Sequence, residues 1–165
     1  MNDMLAFIKS RRSIRKYTDK QIDRNILEEI INAARLSPSA LNIQPWHFVV
    51  VTDKEKLKMI SMIVSWGDFI KDCAACIVVC GDKKVKRYIE DCCIASQTIM
   101  LAAKSFGIGS CYVAALGKPV NEVKKILNIP EHLEIVSFIP LGYPAENPEP
   151  HNKKPISEVL HWETF

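Results

Sequence analysis

The chain has 165 residues, 48% of them hydrophobic and 25% charged, with a formal net charge of +3. It is one domain's worth of sequence, long enough to bury a core and too apolar for intrinsic disorder. The basic excess is small and acidic residues are spread throughout, which argues against a nucleic-acid partner; the longest apolar run, 73–80, is far too short to cross a bilayer.

The opening residues show no basic leader ahead of a long apolar stretch, so no secretory signal is expected. Asp3 is placed to cap a short helix ending near Ser10. Asp23 is placed to cap a second helix, whose apolar face of Ile26, Leu27, Ile30, Ile31 and Ala34 stops at Ser37-Pro38. A β-rich run follows over Trp46–Val51. Thr52 with Glu55 predicts a capping box for a helix to about Val64. Ala74–Cys80 reads as a buried strand. Tyr88–Phe106 predicts a long helix, apolar or small on nearly every face and stopped by Gly107. A helix of that kind in so small a domain calls for a partner subunit to cover it. Ser110–Ala115 is expected as a strand, Pro119–Leu127 as a helix with proline near its first turn, and Glu134–Leu141 as a strand.

After Gly142 the character changes. Pro144, Pro148, Pro150 and Pro155 exclude helix and central strand, so residues 143–165 are expected to be an extended arm. Its apolar end, Val159, Leu160, Trp162 and Phe165, suits docking away from its own domain. The whole reads as a single domain over 1–165, an α+β or α/β three-layer sandwich. Gly107-Ile108-Gly109 follows a helix rather than a first strand, which disfavours a Rossmann dinucleotide site.

Two segments carry candidate chemistry. Arg11-Arg12-Ser13-Ile14-Arg15-Lys16 packs five cationic or hydroxyl donors into six positions, suited to a phosphate or another dianion. Pro38-Ser39-Ala40-Leu41-Asn42-Ile43-Gln44-Pro45 is a loop stiffened by prolines that presents neutral hydrogen-bonding groups, a chemistry for a polyol or heterocycle. Cys73 and Cys76 have CxxC spacing, yet a closed zinc site wants a second clamp, and the adjacent Cys92-Cys93 is a poor one. The run around Cys76 and Cys80 reads as a buried strand in which free Cys packs as a small apolar residue. No metal is expected. Six cysteines without a signal peptide point to free thiols in a reducing cytoplasm.

In order and spacing these pieces resemble the nitroreductase family of FMN-dependent oxidoreductases. The resemblance runs through Arg11–Arg15, Pro38–Phe48, Glu90-Asp91 at the head of a small-residue helix, Gly107–Tyr112 and Leu141-Gly142-Tyr143-Pro144. It ends on His161-Trp162-Glu163. It implies a mixed, mainly antiparallel sheet flanked by helices, and a homodimer with FMN sites at the interface and the 143–165 arm swapped onto the partner. Arg11 and Ser13 would face the FMN phosphate, with Arg12 and Arg15 along the ribityl chain and pyrimidine edge. A cation at that edge stabilises the negative charge of reduced flavin. Pro38, Ser39, Ala40, Asn42 and the less certain Gln44 would come from the other subunit. Val113, Ala114 and Ala115 would lie along the ring and offer it a backbone N–H. Some relatives carry Glu-Gly where this chain has Ala114-Ala115. Lys153 stands where relatives often have Arg, a point charge without the bidentate fork.

The implied activity is ping-pong transfer from NADH or NADPH to an electron-poor small molecule such as a nitroaromatic or quinone. No catalytic side chain is required, and His47, at the head of a strand, reads as structural. Trp66–Phe69 and Tyr112 are the candidates for the cavity wall. Three other readings stand beside this one: a flavin-binding redox sensor, a protein reduced by flavodoxin or ferredoxin, and a reductive dehalogenase on the same fold.

Overall fold

A computed structural model describes residues 3–117 and 120–165. Helix α1 spans Asp3–Lys9 and α2 Arg24–Ala34. Strand β1 (Trp46–Val51) leads to α3 (Lys54–Ile63), then β2 (Ala75–Asp82) and α4 (Tyr88–Ser105). Two short strands, β3 (Gly109–Ser110) and β4 (Val113–Ala114), precede α5 (Val120–Ile126) and β5 (Leu133–Gly142). The expected start of the fifth helix at Pro119 lies outside the described residues.

The sheet runs β1-β2-β5-β3, with β4 also on β5, and all of these pairings are antiparallel. Among the described residues one isolated parallel bridge, Ser13 to Ser110, lies outside the strands, so the sheet itself is antiparallel rather than mixed. Alternation along β2 divides the core. Ala75, Ile77 and Val79 pack with Leu27 and Ile30 of α2 and Ile99 of α4, while Cys76, Val78 and Cys80 pack with Leu57 and Ile60 of α3 and Val123 of α5. The result is the expected α+β three-layer sandwich, helices on both faces of one sheet. Among the described residues no helix is long and apolar enough to cross a membrane.

Local details depart from expectation for identifiable reasons. Asp53, not Thr52, caps α3: its carboxylate accepts the Lys56 N–H at 2.9 Å. Asp23 occupies the N-cap of α2, but its side chain makes no capping bond. The single strand expected at Ser110–Ala115 is broken at Cys111-Tyr112. Its register on β5 does not slip across the break: Ser110 faces Leu141 and Val113 faces Phe138. The missing rung falls where Cys111 comes opposite Pro140, which has no N–H to donate. Helix α4 buries Cys92, Ala95, Ser96 and Ile99, whereas Ile89 and Ile94 stay exposed, so one chain covers only one side of it. The arm leaves β5 along residues 16–18, with Thr18 N–H donating to Tyr143 O and Ala145 N–H to Lys16 O. From Glu149 onward every residue is exposed. The arm is extended apart from one 3₁₀ turn at Ile156–Glu158.

Candidate functional site

The Arg11–Tyr17 segment is held against the end of the sheet by its own alternation. Ile14 is buried, and its N–H donates to Ser110 O at 2.9 Å. The Tyr17 hydroxyl donates to Ile14 O at 2.6 Å. Glycine permits the approach: a Cβ on Gly109 would sit 2.8 Å from the Ile14 side chain, and one on Gly142 2.7 Å from the Tyr17 ring. With Ile14 turned inward, its neighbours Ser13 and Arg15 turn the other way.

They meet Cys111. Burial raises the Cys111 thiol pKa, and it is opposed by the Arg15 charge, a hydrogen bond from Ser13 and the Arg11 charge. Of the three, Arg15 shares a cavity with Cys111, whereas Arg11 lines a neighbouring one. The first cavity, of about 280 Å³, is lined by Arg15, Trp66, Phe69, Cys111, Tyr112, Val113, Ala114 and Leu116. The Arg15 guanidinium lies 5.9 Å from the Phe69 ring centroid, a cation–π distance that holds it over the cavity. The Tyr112 hydroxyl is 3.5 Å from Cys93 Sγ, and burial pushes its pKa up.

Backbone chemistry selects one residue of the 113–115 segment. Ala115 N–H donates to Val136 O at 3.1 Å and is committed to the sheet. Antiparallel rungs fall on alternate residues, so the N–H of Ala114 points away from β5. It is the donor of this segment left for a ligand.

A second cavity of about 210 Å³ lies along Gly107–Ser110, lined also by Arg11, Arg12, Lys104, Glu146 and Asn147. Arg12 keeps a place on its wall, but its Nη1 donates to Lys9 O at 2.9 Å and to Arg11 O at 3.0 Å, closing the end of α1. Each cavity is smaller than the pockets that enclose a drug-sized ligand. A larger hollow of about 650 Å³ opens between α2 and edge strand β1, and none of the expected residues lines it.

The 38–44 loop lies elsewhere, against α4. Ala40 N–H is shared by the two carboxylate oxygens of buried Asp91, each at 3.3 Å. Ser39 Oγ accepts the Gln44 N–H at 2.9 Å, and Gln44 Nε2 donates to Asn42 O at 3.2 Å. Leu41, Asn42 and Gln44 have φ of 53°, 55° and 56°, left-handed values that cost a side chain about 1–2 kcal/mol each. Strain of this kind persists where the surroundings over-determine it. Neither cavity beside Arg11 and Arg15 is lined by this loop, and Lys153 stands on the exposed arm. A single chain therefore does not unite the residues singled out by sequence. Glu146 and Asp91, which hold the two segments in shape, had no assigned role; each is a lone carboxylate whose partners are distant backbone amides, invisible in sequence spacing.

The nitroreductase family model matches residues 8–67 and 64–143. A protein from Methanothermobacter thermautotrophicus, provisionally described as an NADH dehydrogenase/NAD(P)H nitroreductase, is 43% identical over 152 residues, covering 88% of this chain and 80% of its own. An FMN reductase [NAD(P)H] from Bacillus subtilis is 27% identical, covering all of this chain and 75% of its own length. Among solved structures, an FMN-dependent nitroreductase from Clostridium difficile superposes with a TM-score of 0.92 at 33% identity, covering 98% of this chain and 100% of that one.

Proposed function

The chain belongs to the nitroreductase family, and from that premise we propose that it is an NAD(P)H-dependent flavin oxidoreductase that holds FMN at Arg11–Arg15 and 111–115. The observation that carries the reading is the cavity that Arg15 shares with Cys111, Tyr112 and Ala114, the last with its N–H turned away from the sheet. An FMN-sized ligand asks for an anion cradle at one end and a backbone donor at the other; Arg11 and Arg12 on one cavity wall, and Arg15 with the N–H of Ala114 on the other, support this reading. FMN held by these residues would supply hydride and electron transfer between a reduced nicotinamide and an acceptor.

The chain's own residues bind, orient and tune. Arg11 and Ser13 hold the phosphate, with Arg12 behind them on the wall. Arg15 faces the pyrimidine edge, where a fixed cation favours the reduced form. Ala114 donates its N–H to the ring, flanked by Val113 and Ala115. Trp66, Phe69 and Tyr112 wall the slot over which reductant and acceptor take turns, the ping-pong order expected of a single shared face. Electron-poor aromatics such as nitroaromatics and quinones are the acceptors that such a slot suits. No side chain is assigned as nucleophile or general acid.

The second half of the site is assigned to a second copy of the chain. It supplies Pro38, Ser39, Ala40, Asn42 and Gln44, with Lys153 reaching the phosphate from its arm. The homodimer is supported by the apolar side chains left in the open: Leu41 is 94% exposed, and Ile89, Ile94, Trp162 and Phe165 are uncovered. Six free thiols suit a reducing cytoplasm.

Purification tests the reading. The protein is expected to be yellow, to release FMN on denaturation, to bleach anaerobically with NADH or NADPH, and to recolour with a quinone. Colour that only reduced flavodoxin or ferredoxin bleaches would overturn the nicotinamide step. A colourless chain that FMN does not reconstitute would overturn the whole reading.

A further inference from the structure

Glu146 sits at the root of the arm, outside every segment to which sequence assigned chemistry. Its Oε1 accepts the N–H of Arg15 at 2.6 Å and that of Lys16 at 3.1 Å. Two backbone donors on one carboxylate oxygen are charge-assisted bonds, roughly twice as strong as neutral ones. The Ala145 N–H to Lys16 O bond and the bridge from Tyr17 to Pro144 complete a short ladder on either side. Arg15 itself is exposed; among the described residues its side chain makes the contact with Phe69, and its backbone N–H is held by Glu146. The Glu146 charge also reaches Cys111, where it opposes the Arg15 and Arg11 charges.

We propose that Glu146 is a positioning residue for Arg15: by holding the Arg15 and Lys16 amides it aims the guanidinium into the cavity and sets the reduction potential of the flavin bound there. The proposal rests on the FMN reading above. It also makes the arm root part of the redox site, because the residue that aims Arg15 is among the first residues of the 143–165 arm.

Reach and charge are separable at this position. Glu146→Asp keeps the charge and withdraws the acceptor by one methylene, whereas Glu146→Gln keeps an acceptor oxygen in place and removes the charge. In the full-length wild-type protein, hydrogen exchange at the Arg15 and Lys16 amides is expected to be slow; it becomes at least tenfold faster in Glu146→Asp and quickens less in Glu146→Gln, which keeps the acceptor and loses only the charge assistance. In the FMN-loaded proteins, Glu146→Asp is expected to lose about tenfold in the preference for reduced over oxidised flavin, a shift of about 30 mV to the negative for a two-electron couple. Glu146→Gln keeps or raises the potential, since a negative charge has left a site that favours the reduced, more negative flavin. In an Arg15→Gln background the Glu146→Asp shift vanishes.

Faster exchange with an unmoved potential would overturn the proposal, leaving Glu146 a purely structural tether. So would a Glu146→Gln potential below wild type, a readout that stands even if the aspartate variant does not fold. A wild-type chain that takes up no FMN would overturn the flavin reading and this proposal with it; a flavin-loaded wild type with no Glu146→Asp shift would overturn this proposal alone.

Discussion

Arg11 and Arg12 carry the same charge and do different work. The Arg12 guanidinium closes α1 through two backbone carbonyls, while Arg11 lines the cavity along Gly107–Ser110. Arg11→Ala is therefore expected to weaken FMN binding by roughly ten- to a hundredfold, the loss of a charge-assisted contact worth about 1.5–3 kcal/mol. Arg12→Ala is expected to weaken it less, and titrating FMN into both apoproteins compares them. The thiols give a second residue-scale outcome. Burial pushes Cys73, Cys80 and Cys92 up to about 12 from an ordinary value of 9.0. Between those values the folded chain holds protons that the unfolded chain has released. This contribution is fully present below pH 9 and is lost as pH rises toward 12, by up to about 1.4 kcal/mol per group per pH unit. The melting temperature is expected to fall steadily above pH 9, and replacing Cys80 by Ser or Ala should flatten that slope. At pH 8, Cys93 is expected to alkylate first, since it alone among the six is not buried; mass spectrometry after a short iodoacetamide pulse reads this directly.

At the scale of elements, capping shows which local choices a sequence states plainly. Thr52 with Glu55 has the capping-box spacing, yet the structure starts α3 one residue later, on Asp53. Asp53→Ala should cost about 1 kcal/mol and lower the melting temperature, whereas Thr52→Ala should leave it nearly unchanged. The helices and the three long strands were legible because their apolar periods match the faces they bury; β2 reads as one apolar run because helices cover both its sides. The division of β3 from β4 was not legible. It depends on Pro140 coming opposite Cys111, a fact of register between segments about thirty residues apart. The register, unchanged across the break, leaves the N–H of Ala114 rather than that of Ala115 free of the sheet, and that too is a fact of pairing that no local pattern records.

At the scale of the whole molecule, the arm and the open apolar surface belong together. Residues 149–165 are exposed throughout and end in Trp162 and Phe165, while Leu36, Leu41, Ile89 and Ile94 stand uncovered near the 38–44 loop and along α4. Deleting the residues after Gly142 is expected to turn a dimer into a monomer with greatly weakened FMN retention. Analytical ultracentrifugation and the flavin-to-protein absorbance ratio check both outcomes, and a stable flavin-loaded dimer of the truncated chain would refute the swapped arm. What the sequence by itself determined was local and additive: helical and strand periods, prolines that forbid regular structure after Gly142, a cationic run at 11–16, and a stiff polar loop at 38–45. Each follows from side-chain chemistry and short-range sterics acting within a few residues. Only the tertiary structure decided which charges meet. It brought Arg15 beside Cys111, tied Arg15 to Glu146 and Ala40 to Asp91, and kept the 38–44 loop away from the cationic segment of its own chain. Those outcomes depend on strand register and on backbone amides brought together across more than fifty residues, where no periodicity in the chain records them.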